Sequence, residues 1–203
     1  MSDTPELQAA APTLFETGAI RAIELSQSDI PALQSFYEDN DDYFLAVNGE
    51  LPAADEAHKS IHDPLPAGFT YTKKWVIGWF DDAGAMLAMA SVVSDLLASH
   101  VWHVGLFIAG KPMRGSGLAQ RLYAALEAWA ITNGAAWMRL GVVDGNSRAQ
   151  RFWRGLGFTE VRKREGVEMG KRINTVSVMM KPLDGGTREA YLALVARDRQ
   201  ETP

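Results

Sequence analysis

The chain predicts an α/β domain built on a mixed sheet, and three stretches carry that prediction. Val104-Gly105-Leu106-Phe107-Ile108 reads as a mostly buried strand, and Leu118, Leu122, Leu126 and Trp129/Ala130 then recur at helical spacing. Residues 71–80 and 86–93 read as two strands joined by Asp81-Asp82-Ala83-Gly84, a hairpin turn. A strand over 137–143, a helix over 147–155 and a closing hairpin complete an alternating order. At 203 residues the chain has the length of one domain with a full-sized core.

Taken in order, residues 1–16 are rich in Ala, Pro and Thr and read as a flexible leader, with the main domain over 17–183. A first strand begins at Ile20, Ala22 and Ile23 and ends near Leu25. Ser28-Asp29 caps a helix with Pro31 in its first turn, and Leu33, Phe36 and Tyr37 form its buried stripe. Residues 52–62 form a second short helix, broken by Pro64-Leu65-Pro66-Ala67-Gly68. Residues 102–108 are the next strand after the hairpin, and a helix over 117–133 is stopped by Gly134. The closing hairpin pairs 158–163 with 174–180 around Gly166-Val167-Glu168-Met169-Gly170. Residues 184–203 are a C-terminal tail with Thr187 capping a helix over 188–197, which packs on its own domain or on the second subunit of a homodimer.

Composition removes several classes of function. The formal net charge of −5, with no dominating basic patch, argues against nucleic acid as a partner. No apolar run approaches the roughly 18 residues of a membrane span, and the acidic start lacks the order of a signal peptide, so no membrane role and a cytoplasmic location are expected. There is no cysteine, hence no disulfide, thiolate metal site or cysteine nucleophile. His58 and His62 could share a helix face, but no His-Glu-x-x-His accompanies them, and a metal-free protein is expected.

The chemistry concentrates in Arg114-Gly115-Ser116-Gly117-Leu118-Ala119. Two glycines at a strand-to-helix junction let backbone N–H groups converge on an anion, and the helix dipole adds to them. A P-loop would need Lys-Ser/Thr where Leu118-Ala119 stands. A dinucleotide fingerprint would need Gly or Ala at Gln120, and a nucleophile elbow a glycine at Arg114. Arg114, Gly117 and Ala119 instead match Arg/Gln-x-x-Gly-x-Gly/Ala, and Asn146, Ala149 and Phe152-Trp153-Arg154-Gly155-Leu156-Gly157-Phe158 follow one helix and one strand later. In both segments, at this spacing, the chain resembles the GNAT superfamily of N-acetyltransferases.

The resemblance implies a mixed, mostly antiparallel central sheet flanked by helices, and acetyl-CoA as co-substrate. It implies the pyrophosphate on the N–H groups of Gly115, Ser116, Gly117, Leu118 and Ala119, with Arg114 flanking. It implies the pantetheine along Leu106, Phe107 and Ile108, a strand N–H near Phe107 or Ile108 polarising the thioester, and Asn146 reaching the same ligand unless it only caps a helix. The family's usual Glu base is absent between Leu87 and Arg114; of Asp95, His100, His103 and Lys111, His103 is the best-placed base, with an ordinary pKa near 6.5. The usual acid, a tyrosine, is replaced by Trp153, which cannot ionise and reads as a wall of the CoA channel.

The acceptor implied is an amine, with a small-molecule primary amine as the leading reading. A protein lysine or N-terminus, and a non-catalytic acyl-CoA-binding module, are the alternatives. Glu38-Asp39-Asn40-Asp41-Asp42, read as a helix C-terminus, opposes the macrodipole by a few tenths of a kcal/mol per charge. It reads as a solvated turn or as an attractor for a cationic amine.

Overall fold

A computed structural model describes residues 12–200 of the chain. Its strands are β1 (Thr13–Thr17), β2 (Ile20–Glu24), β3 (Lys73–Phe80), β4 (Met86–Ser94), β5 (Val101–Ala109), β6 (Trp137–Val143), β7 (Thr159–Met169) and β8 (Arg172–Pro182). They form one sheet in the order β1-β2-β3-β4-β5-β6-β8-β7, and β5–β6 is its parallel pair among antiparallel neighbours. The helices are α1 (Ile30–Asp39), α2 (Asp41–Val47), α3 (Glu56–His62), α4 (Leu118–Thr132), α5 (Ser147–Gly155) and α6 (Arg188–Leu194). The expected mixed, mostly antiparallel sheet flanked by helices is what the chain forms.

Strand alternation sorts the layers. Ile77, Trp79, Ala88, Ala90, Trp102, Val104, Met138 and Leu140 pack with Leu118, Leu122, Leu126 and Trp153 of α4 and α5. The intervening Val76 and Met89, with Ile108 beyond a one-residue bulge in β5, join Leu33, Phe36, Tyr37 and Phe44 of α1 and α2 in a second cluster. Leu118, Leu122, Leu126 and Ala130 recur every fourth residue, so α4 turns one stripe into the core. Burying side chains of this size is worth about 1.5–3 kcal/mol each, which fixes α4, and therefore the loop that starts it, against the sheet.

Four expectations are corrected. The leader does not reach residue 16, because Thr13–Thr17 forms β1, with Phe15 packed against Trp79 at 5.9 Å; residues 1–11 lie outside the described residues. The closing hairpin is longer than expected and turns at Gly170-Lys171, since the Gly166 region is absorbed as a bulge between Arg164 and Val167. The tail helix stops at Leu194, and a 3-10 turn, Ala196–Asp198, follows. It packs on its own domain: Tyr191 is buried 5.5 Å from Trp137, and Asp198 is fully buried against Arg139 of β6. The acidic stretch is divided: Glu38 and Asp39 end α1 as expected, and the remainder does not. Asn40 separates α1 from α2, and Asp41 and Asp42 open α2, where the dipole favours them.

Candidate active site

β5 and β6 pair only as far as Val104 and Leu140. On its other side β5 loses register with β4 at Gly105, between Ser91 and Val92. Such a bulge bends its strand, and here β5 follows β4 away from β6. The β6-side edge of Leu106, Phe107 and Ile108 therefore has no strand partner.

Two cavities open at this split. The larger, about 920 Å³, lies between Phe107–Ala109, the Arg114–Gln120 loop and the start of α5. The smaller, about 390 Å³, is lined by His103, Arg139 and Arg164, with Leu65, Pro66 and Phe69 from the segment before β3. Tyr43, Phe107, Val143, Asn146 and Trp153 line both, so the cavities adjoin.

The loop does to its backbone what the two glycines suggested. Gly115 and Gly117 have φ of +79° and +78°, and a Cβ on either would meet nothing within 4 Å. The N–H groups of Gly115, Ser116, Gly117, Ala119 and Gln120 donate to no protein acceptor among the described residues. Five free donors at the first turn of a 15-residue helix suit an oxyanion. Leu118 is corrected out of this set: its N–H donates to Ser116 Oγ at 3.3 Å and its side chain is buried in the core. Gln120 takes its place, a donor without side-chain signature. Ser116 Oγ itself donates to the Met113 carbonyl at 2.7 Å, so the serine shapes the loop.

Arg114 lines the larger cavity but is not a free cation. Its guanidinium donates to both oxygens of Asp42, at 2.5 and 3.0 Å, and its Nε to the Ala109 carbonyl at 3.3 Å. Lys111 Nζ binds Asp41 at 2.6 Å, and Asn40 Oδ1 accepts from the Lys111 N–H at 3.0 Å. Hydrogen bonds from Lys111 and Arg114 hold the Asp41 and Asp42 carboxyls below their ordinary range. The acidic stretch thus anchors the loop, and neither carboxylate lines the smaller cavity. Arg148, Arg151 and Arg172, which the motifs passed over, also border the larger one.

Asn146 carries both of its expected readings. Its Oδ1 accepts from the Ala149 N–H at 3.0 Å and caps α5, while the residue lines both cavities. Trp153 is 7% exposed, with ring centroids 5.1 Å from Tyr123, 5.3 Å from Phe158 and 5.8 Å from Phe107, so it is core and cavity wall together.

His103 lies in the wall of the smaller cavity, but its titration is not the ordinary one. Burial, then the Arg139 guanidinium with Nη1 3.3 Å from Nδ1, push its pKa down to about 3. The expected ionisation near 6.5 is corrected: the imidazole is neutral throughout the neutral range. Arg139 is itself clamped, with Nε and Nη2 each 2.8 Å from an oxygen of Asp198, which also accepts from Tyr191 Oη at 2.6 Å. Asp95, the other candidate base, accepts from the His100 N–H at 2.7 Å and closes a tight loop. Tyr43, which no motif marked, stands where the cavities meet; burial raises its phenol to about 12, and no side-chain hydrogen bond holds it.

Among the described residues no group of three or more His, Cys, Asp or Glu is arranged to hold a metal ion, and no helix is long and apolar enough to cross a membrane.

The model of the acetyltransferase (GNAT) family matches residues 33–158. Among solved structures, a GCN5-related N-acetyltransferase from Kribbella flavida is similar with a TM-score of 0.59 at 19% identity, covering 83% of this chain and 100% of that one. A spermidine N-acetyltransferase from Vibrio cholerae, in complex with CoA and spermine, gives 0.62 at 16% identity over 81% of this chain and 96% of that one. A ribosomal-protein-alanine N-acetyltransferase from Brucella melitensis gives 0.59 at 22% identity over 80% and 99%. At these identities the likeness is one of fold. No curated protein sequence matches the chain.

Proposed function

The chain belongs to the acetyltransferase (GNAT) family, and from that premise we propose that it transfers the acetyl group of acetyl-CoA directly to the primary amine of a small molecule. The observation that carries this reading is the pair of adjoining cavities, one bordered by five free N–H groups and an unpaired strand edge, the other small and largely apolar. Acetyl-CoA supplies the activated thioester. The N–H groups of Gly115, Ser116, Gly117, Ala119 and Gln120 hold the pyrophosphate, Arg148 and Arg151 add positive charge beside it, and Arg114 acts through the loop it anchors. The free edge of Leu106–Ile108 takes the pantetheine as an added strand, with Asn146 and Trp153 walling the channel. A strand N–H at Phe107 or Ile108 polarises the carbonyl, worth a few kcal/mol when aimed at the developing charge.

Proton transfer follows from the charges around the amine. An imidazole of pKa about 3 is no base for an alkylammonium of pKa near 10.4, since that transfer is uphill by about 10 kcal/mol. The smaller cavity disfavours the ammonium on its own account, because it is lined by apolar groups and two arginines and by no carboxylate. The amine therefore reacts as the free base. Tyr43 Oη, protonated at neutral pH and lining both cavities, passes its proton to the departing CoA sulfur while the proton lost by the acylated nitrogen restores the phenol, a relay that Trp153 cannot make.

A cavity of about 390 Å³ walled by Leu65, Pro66 and Phe69 is within the range of small-ligand sites, which favours a small acceptor over a protein tail. The test is acetyl-CoA turnover over a panel of amino acids, polyamines and peptides. Turnover on small amines is expected; turnover on peptides alone, or CoA binding without turnover on any amine, overturns the reading.

A further inference from the structure

The smaller cavity holds two guanidinium groups with different fates. Arg139 is neutralised in place by the bidentate Asp198. The Arg164 side chain, on β7, makes no hydrogen bond or ion pair among the described residues, although it is half-buried and lines the same cavity. Burial and the nearby Arg197, Arg139 and Arg162 all lower its pKa, with Asp198 the carboxylate opposing them. An arginine stays charged under such pressure, so the Arg164 guanidinium is a positive group in the cavity wall with its donors free. A partly buried guanidinium whose donors have no protein acceptor can bind an anion with two oxygens in a bidentate pair.

We propose that the acceptor is a primary amine that also carries a carboxylate, with Arg164 binding the carboxylate while the amine reaches the β5–β6 split. This rests on the acetyltransferase reading and narrows its substrate class. The acceptor is then an amino acid or related amino-carboxylate, and a polyamine, with a second cation where Arg164 stands, is excluded. The neutral His103 adds no opposing charge, and Arg139, held by Asp198, leaves the carboxylate one free fork.

The experiment uses matched pairs: amino acids and the amines that lack only the carboxylate. Turnover should favour the carboxylate member by roughly 10- to 100-fold in kcat/KM, the range for a hydrogen-bonded charge. In Arg164→Gln that ratio should fall toward one, mostly through KM, and Arg164→Lys should restore part of it, keeping the charge but not the fork. Calorimetric binding of the same pairs to CoA-loaded protein reads the preference independently of turnover. Equal turnover or equal binding of the pair members, or a ratio unchanged in Arg164→Gln, overturns the inference. Absence of turnover on every amine, with the carboxylate members still bound preferentially, overturns the acetyltransferase reading and leaves the anion site standing.

Discussion

Gly117→Ala separates the anion binding proposed for the Arg114–Gln120 loop from what holds the fold. At φ +78° an L-residue costs about 1–2 kcal/mol, and the new Cβ meets no heavy atom within 4 Å, so no protein clash adds to that. Gly18, in the turn between β1 and β2 at the sheet edge, has φ +61° and the same empty surroundings. Gly18→Ala is therefore the control with a similar backbone penalty away from the site. Both variants should lose similar stability in urea melts, and only one should lose CoA. On the proposed reading, the methyl at 117 crowds an anion held by the N–H groups of Gly115, Ser116, Ala119 and Gln120. Losing two charge-assisted hydrogen bonds at about 1.5 kcal/mol each gives about 3 kcal/mol, a CoA affinity roughly 150-fold weaker. Calorimetric Kd values for CoA with the wild type and both variants decide it. Unchanged affinity in a folded Gly117→Ala protein, or an equal loss in Gly18→Ala, refutes the reasoning.

With His103 held neutral down to about pH 3, kcat/KM should rise with pH along the acceptor amine's own ionisation, with no inflection near 6.5; an inflection there that vanishes in His103→Gln would restore the histidine as base. Tyr43→Phe removes the proton donor at the cavity junction and should lower kcat by roughly 10²-fold with KM for acetyl-CoA little changed; wild-type kcat would remove the tyrosine from the chemistry. Asp198→Ala strands the buried Arg139 charge and should cost about 3–5 kcal/mol in urea melts. In the wild type, burial alone would raise the Asp198 carboxyl, but the Arg139 hydrogen bonds hold it below its ordinary value. That stability is present above the unfolded carboxylate range and should be lost as pH falls below it, which melts at pH 7 and pH 3 would follow.

What could be read in the sequence, and what could not, divides on whether a property is local. The β6 and α5 boundaries matched because Trp137–Val143 and Ser147–Gly155 are bounded by local breakers, Gly134 before and Gly157 after. The loop's backbone turn was legible because two glycines one residue apart, both at positive φ, leave a composition signal. Residues 38–42 misled because capping depends on where the next helix begins, and Asn40 marks a boundary no period of 3.6 discloses in seven residues. The His103 titration was out of reach for another reason. Its neighbours Arg139 and Asp198 arrive from β6 and from the tail, through strand pairing and tail docking that no local window contains. Tyr43 and Arg164 were missed likewise: each is an ordinary residue on its own element and matters through the cavity it helps to enclose.

On the proposed reading, charge compensation between distant segments lets this loop hold an anion without the lysine or the hydroxyl of a P-loop. Asp42 holds the Arg114 guanidinium in a bidentate pair, and Asp41 holds Lys111, so the basic side chains of the loop stiffen it against α2. What remains for an anion is the backbone: N–H groups aligned by two glycines and by the first turn of α4. Backbone donors ask of the sequence only that nothing stand in front of them. Leu118 and Ala119 meet that demand, the leucine by turning into the core, where it is 6% exposed, and the alanine by being small. A lysine at 118 would have to leave the α4 stripe that anchors the helix, removing a buried side chain from beneath the very N–H groups it was meant to assist.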